Sequence, residues 1–222
     1  MSLLLLMPAY QGKMNIETHF CLQQIKMYFM SESIEYDECI SKAGSLVSLE
    51  RNKLFARFYK SKYEYCLWLD ADTAVLEPEK IVDMYLRKKD VIAAASPARP
   101  HAEHTFKINF ILDKNKKPKT EQDLFKVDGI GLSTFMLSKK VAEKLVSRNQ
   151  HRKFIDKQVG ECWDLFSPEI FSQGYLGEDI RFCKHLRDNN VDIYVYPDIK
   201  IMHLGETHRI DSLFNFLKLK RK

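Results

Sequence analysis

Apolar positions along this chain follow two rhythms. Unbroken runs from Leu3 to Met7, Tyr65 to Leu69 and Val91 to Ala95 have the length and residue types of strands buried on both faces. Between them lie segments of helical character, Ile16 to Ser31 and Leu49 to Lys60. Another helix can begin at Pro78, with Ile81, Val82, Met84, Tyr85 and Leu86 spaced for one buried face. Tyr36 to Ile40 predicts a weaker strand, and Phe125 to Leu137 a further strand-like stretch. Lys139 to Arg148 predicts a helix, as does Glu178 to Asn189, whose Ile180, Phe182, Cys183 and Leu186 form a stripe. Asp192 to Tyr196 and Ile199 to Met202 then read as short strands, the last closed by His203. Such alternation predicts an α/β domain with a mostly parallel central sheet, flanking helices, and ligands at the carboxyl ends of its strands.

The rhythm loosens twice. Pro97 to Asp123 is polar and Lys-rich around the apolar piece Phe106 to Leu112, which predicts a hairpin or a mobile loop over a site. Asn149 to Tyr175 carries Trp163, Phe166 and Phe171, rings that either pack under the loop or form a wall against substrate. There is no internal repeat, so 222 residues divide most simply as one domain.

Composition narrows the class. At 45% apolar the chain can build a sizeable core, and a formal charge of +5 suits a small anionic substrate without calling for nucleic acid. Basic residues cluster only at Lys218-Leu219-Lys220-Arg221-Lys222, a solvated terminus or the start of a linker to further domains. Five cysteines, odd in number and without CxxC spacing, predict reduced thiols and a cytoplasmic setting. The run Leu3 to Met7 lacks the basic flank of a signal peptide, and no apolar stretch approaches the length of a membrane span.

Candidate chemistry gathers where apolar runs end. Pro8-Ala9-Tyr10 follows the first strand, Asp70-Ala71-Asp72 another, Asp128-Gly129-Ile130-Gly131 interrupts a third, Gly177-Glu178-Asp179 opens a helix and His203 closes the last strand. Asp70 and Asp72 share a face if their strand continues, or flank a tight turn if it stops at Leu69. Two carboxylates that close repel unless a cation lies between them, and a hard divalent ion bridging to phosphate is a common partner.

In the order and spacing of these motifs, together with Ser48-Leu49-Glu50-Arg51-Asn52 and Met202-His203-Leu204-Gly205, the chain resembles the metal-dependent glycosyltransferases of the GT-A fold over nearly its whole length. In general character it is also similar to virus-encoded members such as those of chlorella viruses, whose compartment would be the host cytoplasm. The resemblance implies one domain over 1–222, with a donor-nucleotide half over about 1–98, an acceptor half over about 99–210, a basic tail over 211–222 and a small antiparallel element near the site. It also implies a nucleoside diphosphate sugar donor, UDP-linked, a glycan acceptor, and Mn²⁺ or Mg²⁺. By resemblance Asp72 is the metal ligand, with His203 and Asp70 beside it, Asp70 alternatively meeting ribose or a metal-bound water. Pro8, Ala9 and Tyr10 would line the base and ribose, Ala71 would lie at the donor, and Arg51 would reach the diphosphate or sugar. Asp128 and Gly129 would face the donor sugar. Asp179 would deprotonate the acceptor in an inverting enzyme, with Glu178 orienting it or binding a hydroxyl. Two other readings stay open: a sugar nucleotidyltransferase, against which stands a first turn offering only Gly12-Lys13, and a non-catalytic carbohydrate or nucleotide-binding module.

Overall fold

The structure, a computed structural model, describes residues 2–42, 46–98, 105–171, 174–204 and 209–219. Strand β1 (Ser2–Pro8) and helix α1 (Ile16–Ser31) are followed by β2 (Glu35–Ser41), α2 (Val47–Lys60), β3 (Tyr65–Leu69), β4 (Thr73–Val75), α3 (Glu79–Leu86) and β5 (Val91–Ala94). Then come β6 (Ile108–Phe110), β7 (Thr120–Glu121), β8 (Leu124–Ile130), β9 (Thr134–Ser138), α4 (Lys139–Arg148) and two hairpins, β10–β11 (Lys153–Asp156, Gly160–Trp163) and β12–β13 (Glu169–Phe171, Gly174–Leu176). Helix α5 (Glu178–Asp188), β14 (Ile193–Tyr196), β15 (Ile201–His203), β16 (Arg209–Asp211) and α6 (Leu213–Leu219) complete the described chain.

Nine strands form one sheet in the order β2-β1-β3-β9-β5-β14-β8-β6, with β7 also on β8. Strands β8 and β9 run against the rest, so the sheet is mostly parallel in direction. The unbroken apolar runs follow from burial on both faces. Leu4, Leu6, Cys66, Trp68, Val91 and Ala93 enter one core, covered by residues of α2, α4 and α5. Their alternates Leu3, Leu5, Met7, Leu67, Leu69, Ile92 and Ala94 enter a second core under α1 and α3. Trp68 stacks on Phe135 with ring centroids 5.4 Å apart, and Phe166 stacks on Phe182 at 4.2 Å, so the first core is dominated by aromatic contact. A separate three-stranded antiparallel sheet, β16-β15-β4, abuts the end of β3.

The mixed α/β single domain and its small antiparallel element are those predicted. The stretch from Phe125 to Leu137 departs from expectation. It is two strands, β8 and β9, parted at Gly131, Leu132 and Ser133. Both loose segments hold strands: Pro97 to Asp123 contains β6 and β7, and Asn149 to Tyr175 contains the two hairpins. Trp163 and Phe166 are core residues, whereas Phe171 is exposed. At the basic end, α6 buries Leu213 and sets Phe216 against Phe106 at 5.2 Å. Gly205 and Lys220 to Lys222 lie outside the described residues.

Buried His185 of α5 gives the fold a pH dependence. Burial, helped by Arg181 and Arg152, pushes its imidazole down to about 4, and its Nε2 has no hydrogen-bond partner among the described residues. The folded protein therefore resists protonation that the unfolded chain accepts near pH 6.5. This stability is complete above pH 6.5 and is lost as pH falls toward 4, at a slope approaching ~1.4 kcal/mol per pH unit. Urea midpoints measured between pH 7 and 5 should fall more steeply for the natural chain than for His185→Gln; equal slopes would refute this.

Candidate active site

The site is built around the end of β3. That strand stops at Leu69, because Asp70 N–H donates to Ser133 O (2.9 Å) and Thr73 N–H donates to Asp70 O (3.1 Å), closing a tight turn before β4. The two carboxylates thus flank a turn and diverge. Asp72 faces the small sheet, where β15 pairs with β4 so that His203 lies opposite Thr73 and Leu204 N–H donates to Asp72 O (2.8 Å). Asp70 turns to α2.

There it meets Arg51, whose side chain is only 3% exposed. Arg51 Nη2 lies 3.1 and 3.0 Å from the two Asp70 oxygens, and Nη1 donates to Leu132 O (3.2 Å) and lies 3.4 Å from Asp179 Oδ1. The Trp68 and Phe166 rings stand 5.9 and 6.0 Å from the guanidinium carbon. Burial works against the charged guanidinium, but Asp70 first, then Asp179, Glu178 and Asp72, outweigh it and hold its pKa above the ordinary value. Burial likewise pushes the Asp70 carboxyl up to about 7; Arg51 opposes the rise, and the other three carboxylates add to it. Arg51 thus faces four carboxylates. Asp179 Oδ1 is buried and has no hydrogen bond among the described residues. Glu178 and Asp179 open α5, where the helix dipole favours anions.

A cavity of about 850 Å³ unites these groups. Of the residues singled out by sequence, Pro8, Tyr10, Arg51, Asp70, Ala71, Asp72, Glu178, Asp179 and His203 line it. Tyr10 opens a 3₁₀ turn whose Gln11 and Gly12 take positive φ, and the residue is 59% exposed. Ala9 is buried behind the lining. Asp128 is not brought to the cavity: it is exposed, with Arg187 Nε 3.9 Å away. Gly129 does not line the cavity either. A Cβ there would stand 3.1 Å from Ile180 Cδ1 and 3.3 Å from Asn109 Nδ2, so its small size lets α5 sit against β8 and sets Glu178 and Asp179 in place. Gly131 is the glycine at the cavity, where a Cβ would lie 3.8 Å from Asp179 Oδ2. Arg51, for its part, has its guanidinium turned into the Asp70–Asp179 pair.

Lys13, Lys107, Ser96, Pro97 and Ser133 are among the other lining residues, and the sequence does not single them out as site residues. Lys13 follows Gly12 in what reads only as a weak phosphate turn. Lys107 sits in an aperiodic basic stretch. Pro97 acts through its carbonyl, which leaves no side-chain signal.

That carbonyl bears on metal binding. His203 Nδ1 lies 2.9 Å from Pro97 O, and since a carbonyl only accepts, Nδ1 carries the proton. Nε2 is left facing Asp72 Oδ2 across 3.8 Å. A carboxylate and a neutral imidazole so placed would suit a cation between them, and the histidine's second nitrogen is fixed as metal-binding histidines require. The described residues contain no group of three or more His, Cys, Asp or Glu side chains that could hold an ion, and Asp70 is paired with Arg51 instead. A mixed carboxylate and imidazole pair would suit Mn²⁺, or less well Mg²⁺, on a phosphorylated ligand.

No protein-family model matches this chain, and no curated protein does. Among solved structures, A197 from STIV aligns with 96% of this chain and 91% of its own, at TM-score 0.57 and 16% identity, a likeness of fold. GalNAc-T7, solved with UDP, GalNAc and Mn²⁺, aligns with 92% of this chain at TM-score 0.46 and 10% identity; this chain spans 44% of it. Mannose-1-phosphate geranyltransferase from Thermus thermophilus aligns with 68% of this chain and 61% of its own, at TM-score 0.44 and 12% identity.

Removing Arg51 should strand Asp70 and Asp179 without their counter-charge. Arg51→Met is expected to cost about 3 kcal/mol in urea unfolding, and adding Asp70→Asn should recover part of it. A loss below ~1 kcal/mol would mean that the pair is not the anchor of this cluster.

Proposed function

We propose that this chain is a GT-A glycosyltransferase that moves a sugar from a nucleoside diphosphate donor, UDP-linked, to a glycan hydroxyl with Mn²⁺ or Mg²⁺. The observation that carries the reading is convergence. Asp72, His203, Glu178 and Asp179, from a strand-end turn, a second sheet and a helix start, meet in one cavity beside the Arg51–Asp70 pair. Its size suits a ligand of nucleotide-sugar dimensions.

Asp72 and His203 would hold the ion on the donor diphosphate. When bound, it supplies Lewis-acid stabilisation of the charge that builds on the leaving nucleoside diphosphate. Lys13 and Lys107, which also line the cavity, would add positive charge for phosphate oxygens. Tyr10 presents its exposed ring to the base, while Pro8 and Ala71 bound the nucleoside. In an inverting reaction Asp179 would accept the proton of the acceptor hydroxyl as that oxygen attacks the anomeric carbon and the nucleoside diphosphate leaves, with Glu178 on a neighbouring hydroxyl. Arg51 holds the Asp179 carboxylate in place. The donor half is assigned to about 1–98 and the acceptor half to about 99–210. Cys21, Cys39, Cys66, Cys162 and Cys183 are all free thiols, which supports a reducing compartment such as the cytoplasm, and no helix among the described residues is long and apolar enough to cross a membrane.

Incubation with a panel of nucleotide sugars, with and without Mn²⁺, tests this by thermal shift and release of nucleoside diphosphate. Metal-dependent stabilisation with release is expected. Asp72→Ala should abolish the metal-dependent stabilisation, and Asp179→Asn should keep it while slowing transfer by roughly 10²- to 10⁴-fold. Binding without turnover across varied acceptors, or pyrophosphate production from a sugar phosphate and a nucleoside triphosphate, would overturn the assignment.

A further inference from the structure

Helix α1 is apolar on two sides. Thr18, Cys21, Leu22, Ile25 and Phe29 are buried against the body of the protein, as one face of a packed helix must be. The opposite side carries Ile16, Phe20, Met27 and Met30, which are 59, 62, 68 and 68% exposed. With exposed Gln23 between them, these positions are separated by four, three, four and three residues. That is the spacing of a coiled-coil seam over two heptads, with one polar residue at its centre. A straight stripe of this kind is about 21 Å long at 1.5 Å per residue. From typical side-chain areas, it leaves on the order of 500 Å² of apolar surface, near the upper end for a monomer.

We propose that this face pairs with the same face of a second copy across a two-fold axis at Gln23. Three observations select that occupant. The seam has two large apolar residues on either side of one amide, so a copy related by two-fold symmetry meets apolar with apolar. At the axis, Gln23 meets Gln23 of the other copy, and each amide both donates and accepts a hydrogen bond. With the flanking residues His19, Gln24 and Tyr28, the surface approaches the roughly 800 Å² per partner of a stable interface. A membrane is disfavoured because the only Lys or Arg of α1 is Lys26, already paired with Glu38, whereas helices that lie on bilayers carry a basic polar face. The pairing stands whether or not the cavity transfers sugar.

Sedimentation equilibrium of the full chain tests it. A species of twice 26.1 kDa is expected at micromolar concentration. Phe20→Glu should raise the dimer dissociation constant at least tenfold while leaving the circular dichroism spectrum unchanged. Gln23→Cys should form an oxidant-dependent covalent dimer that the natural chain, whose other cysteines lie elsewhere, does not form. A monomer throughout the concentration range, a dimer indifferent to Phe20→Glu, or flotation with phosphatidylcholine or phosphatidylserine vesicles through this stripe would each overturn the proposal.

Discussion

A buried guanidinium holds this site together. Arg51 is almost wholly withdrawn from water, and a charge so placed is tolerable only when it is paired. Its partners come from places far apart in the chain: Asp70 after β3, Leu132 at the break between β8 and β9, and Asp179 in the first turn of α5. Losing Arg51 would leave Asp70 and Asp179 with a desolvation cost that their other contacts do not offset. The ion-pair web therefore fixes the relation between the turn that carries Asp72 and the helix that carries Asp179. It also sorts the two aspartates of the Asp70-Ala71-Asp72 motif, since one is turned inward to Arg51 and the other outward to His203.

The scaffold makes that sorting possible. Because the sheet is covered on both faces, alternate residues of β3 feed separate cores, and Trp68 on the α2 side lies beside the guanidinium. The sharp turn after Leu69 sends the chain out of the main sheet into β4, and pairing with β15 returns His203 to the same corner. Gly129 contributes at one remove, through the close approach of α5 to β8.

Much of this was legible in the residues. Helix Ile16–Ser31 and helix Lys139–Arg148 have the predicted limits, the first bounded by polar Asn15 and Glu32 and the second marked also by a one-faced apolar spacing. The strand runs were legible because two-sided burial leaves no polar positions in them. The break at Gly131 to Ser133 was not, because Leu132 is apolar and the break is justified by its carbonyls, which accept from Arg51 and Asp70. Asp128 looked like a site residue from its place beside two glycines, yet strand alternation turns it away to Arg187. The proton on His203 depends on Pro97 O, a contact between residues 106 apart that no local pattern announces. Backbone acceptors and long-range register decide these features, and a single sequence encodes neither in its side-chain pattern.

The central claim is that Asp72 and His203 Nε2, with Asp70 held away by Arg51, form the protein's half of a divalent-ion site. Anomalous diffraction from crystals grown with Mn²⁺ and a nucleoside diphosphate locates the ion directly. A peak within about 2.3 Å of both Asp72 and His203 Nε2, with Asp70 still on Arg51, is the expected result. A peak bound by Asp70 and detached from His203, or no manganese in the cavity with the nucleotide present, would contradict it.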